Sequence, residues 1–166
     1  GRETNKHESK KVEGTQGRST KTKTPIFGMI QRDGNCYAMK VENTRAETLL
    51  PIIKQFCIEH STLFTDELSS YNVVDREGYY HAIIRHGMKE YSKAGVTTNR
   101  IEGFWGHFKR MVFGIYHFVS KEYLQRYIDE AVYRYNTRKI SESLRFTDMF
   151  HKAIRNCYYY DVKMEV

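Results

Sequence analysis

Nothing in the chain approaches the roughly 18 consecutive apolar residues that a membrane-spanning helix needs. A signal-peptide pattern is also missing, as is an initiator Met, and the sequence reads as a fragment. Cysteine is scarce: Cys36, Cys57 and Cys157 are odd in number, widely spaced, and form no C-x-x-C, which leaves no support for a zinc ribbon or a disulfide framework. Reduced thiols in a cytoplasmic protein fit that pattern. Acidic residues are outnumbered, 20 against 27 Lys and Arg, so the net charge is +7 and the partner expected is anionic. Large apolar residues are almost absent from the first 24 positions, where Val12 stands alone. What remains has the makeup of an ordinary domain, 14% aromatic overall, and a chain of 166 residues is about one domain with a core of its own.

Three parts are expected. Residues 1–24 hold seven Lys or Arg and three Glu among Ser, Thr and Gly, the composition of a flexible basic arm. Residues 25–140 form the folded domain, and residues 141–166 a C-terminal helix and tail. Within the domain, Pro25–Asn43 predicts a β-hairpin turning at Arg32-Asp33-Gly34-Asn35, which gives Asp33 a structural task. Thr44-Arg45-Ala46-Glu47 has the form of a capping box, and Leu49, Leu50, Ile52, Ile53 and Phe56 give the following helix an apolar face. Pro51 either kinks that helix or moves its start to about Leu49. Strands are expected at Ser61–Thr65 and Tyr79–Arg85. Helices follow from Thr98 or Asn99 to Met111, from a Ser120 cap to Tyr135, and over Thr147–Arg155. The order predicts a mixed α/β fold, one layer of sheet with helices packed on it.

Two acidic residues carry the chemical argument. Asp66 follows a predicted strand, and ligands bind at the carboxyl ends of strands. Glu102 lies on a predicted helix. Setting it at zero and advancing about 100° per residue, Trp105, Val112, Ile101 and Phe108 fall between about −60° and −120° as the buried stripe, and Lys109 falls near −20°. A carboxylate and an ammonium thus share the edge of an apolar stripe. Carboxylates distant in sequence suit Mg²⁺, a hard cation held by a few oxygens plus substrate phosphate, and two such ions about 3.5–4 Å apart assist both the attacking and the leaving oxygen. Taken singly, Asp66 as a turn residue and Glu102 and Lys109 as solvated helix charges are the plainer readings. Their joint occurrence in a basic chain favours the chemical one.

Thr65-Asp66-Glu67 with Tyr71, then Asn99-x-Ile101-Glu102-Gly103-Phe104-Trp105 with Lys109-Arg110, resembles bacterial insertion-sequence transposases of the DDE type, in the branch related to Merlin DNA transposons. Further similarity lies in Lys23-Thr24-Pro25-x-Phe27-Gly28-Met29, in Thr48 to Ile53, and in Tyr127-x-Asp129-Glu130 through Asn136. The resemblance implies a ribonuclease-H-like fold of the retroviral integrase superfamily. It also implies strand cleavage and strand transfer with two Mg²⁺ (or Mn²⁺) ions on DNA, both transposon ends and target, by a homo-oligomer assembled on that DNA near the bacterial nucleoid. No membrane is involved. By motif position Asp66 and Glu102 are catalytic metal ligands and Lys109 a catalytic basic residue. Asn99 is a lesser metal candidate, because some members carry Asn or His at the third position. Lys109, Arg110, Arg100 and Arg138 are the DNA-binding candidates. The family's first catalytic Asp precedes a Gly-Gly and a basic residue, of which Gly1-Arg2 looks like the tail. The expectation is therefore a sheet lacking its first, central strand, with that Asp upstream of Gly1 and the chain inactive alone. Glu3, Glu8 and Glu13 are poor substitutes on a flexible arm.

The remaining signals are weaker. For the run Phe104, Trp105, Phe108, Phe113, Tyr116 and Phe118, core packing is favoured over base stacking at Trp105 and Phe108, and with them at Ile101. His81 and His86 fall on opposite faces of a strand and do not suggest a zinc pair. Lys121, Arg126, Arg134, Arg138 and Lys139 mark a basic helix side, solvated or facing DNA backbone. The alternatives to an enzyme are a non-catalytic nucleic-acid-binding remnant of a transposase and a plain protein-interaction domain.

Overall fold

Strands β1 (Ile26–Ile30) and β2 (Cys36–Lys40) pair antiparallel, with Ile26 opposite Lys40 and Ile30 opposite Cys36. The structure, a computed structural model, describes residues 23–84 and 98–161; residues 1–22 of the expected arm lie outside that range. Alternation along the hairpin sends its side chains into two different cores. Phe27, Met29, Met39 and Val41 pack with Leu49 and Ile53 on one side, and Ile26, Ile30, Cys36 and Ala38 pack with Phe104, Phe108 and Ile128 on the other. Apolar residues on both faces are what a strand covered on both sides requires. The thiol of Cys36 is fully buried, and burial pushes its pKa up to about 12 against a small opposing pull from Arg138, so it serves packing.

The turn forms where expected, closed by the Gln31 N–H donating to the Asn35 carbonyl at 2.9 Å. Asp33, not Gly34, takes the left-handed conformation, at φ 58°. Its carboxylate also meets Arg100 at 2.8 Å, which ties the turn to a distant helix.

Helix α1 (Ala46–Phe56) starts one residue later than a capping box at Thr44 demands, with Arg45 at the N-cap and no side-chain cap bond. Asn43 works instead from outside the helix, its Oδ1 accepting from the Arg45 N–H at 2.9 Å and from the Thr48 hydroxyl at 2.8 Å. The helix continues across Pro51 and does not start near Leu49. The carbonyl that Pro51 leaves without a donor belongs to Glu47, an exposed residue, where solvent can take the place of the missing N–H.

Strands β3 (Thr62–Thr65) and β4 (Tyr80–Ile83) pair in parallel, linked by two short 3-10 turns at Ser69–Tyr71 and Val74–Glu77. The single sheet expected from the sequence is thus replaced by two small sheets, each with two strands. Among the described residues no strand joins them. The outer edge of β2 is covered by helix side chains: the Lys40 N–H donates to Gln125 at 2.7 Å, and Asn136 takes the Cys36 N–H at 2.7 Å and returns a bond to its carbonyl at 3.0 Å.

Helix α2 (Asn99–Met111) begins where predicted and continues as a π-helical turn over Val112–Tyr116. Its buried residues are Phe104 and Phe108, while Ile101, Trp105 and Val112 are half-buried. Phe104 falls near −160° from Glu102, so the stripe lies about 40° further from Glu102 than the expected one. Helix α3 (Leu124–Asn136) starts four residues after Ser120, whose hydroxyl is 3.4 Å from the Tyr123 N–H, too long for a firm cap. Helix α4 (Glu142–Asp161) extends beyond Thr147–Arg155 at both ends, and α3 holds its first turns: the Tyr133 hydroxyl meets the Arg145 carbonyl at 2.9 Å and Asp148 at 2.8 Å.

That junction is expected to weaken at acid pH. The hydrogen-bonded Lys152 ammonium, then the Tyr133 hydroxyl, hold Asp148 below the usual carboxylate range. A carboxylate lowered in the folded state adds stability above its unfolded pKa of about 4 and loses it as pH falls through the folded value. The protection factors of the amides along Asp148–Lys152, taken relative to their intrinsic exchange at each pH, are therefore expected to fall on acidification below about pH 4. Asp148→Asn should show that reduced protection already at neutral pH and lose the acid response; an unchanged profile would remove Asp148 from the junction.

Candidate active site and nucleic-acid surface

Asp66 is exposed and stands immediately after β3, at its carboxyl end. Its Oδ1 accepts the Leu68 N–H at 3.2 Å, an Asx turn that leads into the 3-10 turn Ser69–Tyr71. Tyr71 packs beneath this turn, and burial, reinforced by the Asp66 carboxylate, pushes its phenol up to about 12. The strand end itself is held from β4. The Ile84 N–H donates to the Thr65 carbonyl at 2.9 Å, and Thr65 Oγ1 lies 2.7 Å from Nε2 of His81, whose side chain is 2% exposed. The other ring nitrogen of His81 faces Asp75 at 3.8 Å. His81 thus supports the strand that carries Asp66, a role its sequence position did not disclose. His86 lies outside the described residues.

Glu102 is exposed in the first turn of α2, where the helix dipole favours a carboxylate. Thr98 does not cap a backbone N–H with its side chain; its hydroxyl donates to Glu102 Oε1 at 3.1 Å. Asn99 is the first residue of α2 and is exposed. The rotation of the buried stripe toward Phe104 moves Glu102 and Lys109 off its edge and onto the solvent side.

The four basic candidates divide into two kinds. Arg100 and Arg138 converge on the hairpin turn: Arg100 pairs with Asp33, and Arg138 reaches the Gly34 carbonyl at 3.4 Å while stacking 3.9 Å above the Tyr135 ring. Lys109 and Arg110, in the last turn of α2, are exposed and meet no carboxylate among the described residues. Of the four, they are the two that the hairpin turn does not engage.

The oxygen donors of Asp66, Glu102 and Asn99 are chemically right for Mg²⁺. Among the described residues, no three His, Cys, Asp or Glu side chains are gathered as a metal-holding group. An open cavity of about 440 Å³ lies elsewhere, at the amino ends of β3 and β4, lined by His60, Asp75, Gly78, Tyr79, Tyr80 and His81. Among the described residues no helix is long and apolar enough to cross a membrane.

The family described as the ISXO2-like transposase domain matches residues 1–136. The chain belongs to this family of insertion-sequence transposases. The match takes in Asp66, Asn99, Glu102, Lys109 and Arg110 and stops before Arg138 and α4. The transposase domain is also 31% identical, over 108 residues, to an uncharacterized transposase-like protein of Haemophilus influenzae, across 65% of this chain and 86% of that relative. No solved structure matches it significantly.

Proposed function

We propose that this transposase domain is a DDE catalytic domain that cuts DNA at transposon ends and joins the freed 3′-hydroxyl to target DNA. The observation carrying this reading is the exposure of Asp66 at a strand's carboxyl end and of Glu102 at a helix start, in a member of a transposase family. Asp66 and Glu102 would hold Mg²⁺ or Mn²⁺, with the Asn99 amide oxygen as a further donor. Bound there, the ions supply Lewis-acid charge to the phosphate oxygens. The chain's own part is positioning. The Asx turn and the Thr65–His81 bond fix the strand end behind Asp66, the first turn of α2 presents Glu102, and Lys109 and Arg110 neutralise the DNA backbone.

A ribonuclease-H-like fold belongs to the same reading. Two small sheets with no described strand between them are what that fold leaves when its central strand, the carrier of the first Asp, is set aside. Assembly as a homo-oligomer on DNA, close to the bacterial nucleoid, completes the proposal.

The test begins with Lys109. Lys109→Ala should weaken DNA binding and reduce the slope of log affinity against log salt by about one counterion. The thermal midpoint should hold, because an exposed Lys contributes little packing. An unaltered slope would make Lys109 a plain surface charge.

A further inference from the structure

We infer that the tip of the β1–β2 hairpin is a binding site for the DNA phosphate backbone, in which the Asp33 carboxylate fills the place of a phosphate until DNA displaces it. The inference rests on the DNA-binding reading above and adds where the backbone is held and which group occupies that place without DNA. Three cations from two helix ends reach the same pair of turn residues. Arg100 of α2 meets the Asp33 carboxylate at 2.8 Å, the Lys139 ammonium donates to the Asp33 carbonyl at 3.4 Å, and the Arg138 guanidinium donates to the Gly34 carbonyl at 3.4 Å. Helices α2 and α3 pack on one face of the hairpin, through Phe104 and Ile128 against Ile30 and Cys36, so both helix ends approach the tip from that face. The approach is fixed by Asn136, whose side chain makes two bonds to the Cys36 backbone, at 2.7 and 3.0 Å.

An incoming anion can replace these contacts. The side chains of Arg100 and Asp33 are 49% and 73% exposed, and an ion pair that open to water is weak. The two carbonyl contacts are longer than a firm hydrogen bond, so Arg138 and Lys139 are loosely held by the turn. A carboxylate on a guanidinium makes the same charge-assisted contact that a phosphate makes, which lets Asp33 stand in for one.

Charge selects the occupant. Among the described residues Asp33 is the one acid ion-paired with any of the three cations, and the hairpin strands and turn carry no other acid. The acids of the neighbouring helices and of the start of α4 are engaged elsewhere: Glu102 accepts the Thr98 hydroxyl, Asp129 accepts the Gln125 amide at 2.8 Å, Glu130 holds Arg134 at 2.9 Å, and Glu142 lies 3.8 Å from Arg145. Three cations against one carboxylate leave the tip at +2. One carboxylate meets one of these cations, whereas a backbone of successive phosphates can meet all three. Arg100 also stands two residues before Glu102 in the first turn of α2, which joins the tip to the proposed metal site along the same helix turn.

The test measures binding of a fluorescent DNA duplex by the full 166-residue chain across a salt series. Asp33→Asn removes the stand-in charge and keeps a residue that tolerates the left-handed φ of 58°. It should tighten binding about fivefold at low salt. Glu47→Gln, which removes an equal charge from α1 on the opposite face of the hairpin, should leave affinity unchanged. Arg100→Gln and Lys139→Ala should each weaken binding and lower the salt slope by about one counterion. In the Arg100→Gln background, Asp33→Asn should gain nothing, because no guanidinium is left to release. A gain that persists without Arg100, or one matched by Glu47→Gln, reduces Asp33 to a general surface charge and overturns the proposal. Unchanged or weaker binding by Asp33→Asn makes the pair a structural tie and overturns it as well. So does an acidic peptide that displaces the duplex from the unaltered chain but not from Lys139→Ala, which assigns the tip to a protein partner. Absence of salt-dependent duplex binding by every variant overturns the DNA reading itself.

Discussion

Gly28→Val is expected to destabilise the domain by about 1–3 kcal/mol, the range for forcing extra carbon into a packed contact. Gly28 lies on β1 under the ring of Trp105. A Cβ there would stand 2.5 Å from Trp105 Cζ2, 3.0 Å from Cη2 and 3.3 Å from Ile101 Cδ1. The indole has little freedom to retreat, because it packs edge-on against Phe104 at 4.9 Å and Phe108 at 6.4 Å. The damage should be coupled to one partner. In a Trp105→Leu background the same glycine substitution should cost much less, and the double-mutant cycle by urea unfolding should return an interaction energy above about 1 kcal/mol. Additive effects would mean that the close approach of strand and indole is not what makes Gly28 necessary.

The glycine also shows how far a single sequence reaches. Helical spacing placed Ile101, Trp105 and Phe108 on one side of α2, and they do share a side. It did not locate the centre of that side, because periodicity gives angles between residues and not the direction of the core. The strand supplies that direction. Gly28 admits the indole partway, which leaves Trp105 half-buried and lets Phe104 become the deepest residue. The hairpin, both later strands and the span of α2 were legible because turn chemistry and periodicity act locally. The capping box was misplaced by one residue: the helix start is held instead by Asn43, which accepts the Arg45 N–H and the Thr48 hydroxyl from outside the helix. The early start of helix α4 was missed because its first turns are held by Tyr133, a partner on another helix. At the candidate site, the strand end and the helix start that carry Asp66 and Glu102 could be read ahead. The engagement of Arg100 and Arg138 by the hairpin turn could not, because those bonds span 67 and 104 residues.

Cleavage of a transposon-end duplex by these 166 residues alone is expected to be undetectable with either Mg²⁺ or Mn²⁺. In the proposed reading, Asp66 and Glu102 are two of three carboxylates, and the third belongs to the central strand. Mg²⁺ gives up its waters reluctantly and demands near-octahedral oxygen ligands, so a site short of one anchor should hold it weakly. Catalysis of this kind is positioning and charge neutralisation, and the loss of an anchor removes most of the rate. A version extended upstream through the strand with the first Asp should cut. In that version Asp66→Asn and Glu102→Gln should each lower the rate about a thousandfold or more, in line with the loss of one preorganised electrostatic contact. Neither change should unfold the domain: both side chains are exposed, and the amide introduced by Asp66→Asn retains an oxygen to accept the Leu68 N–H. Activity confined to the extended form and lost in both variants supports the assignment. An extended form that cuts equally well with Asp66→Asn would remove Asp66 from the chemistry. Robust cleavage by the short chain, abolished by Asp66→Ala, would mean that another carboxylate completes the site, and Glu3, Glu8 and Glu13 would be the first to replace.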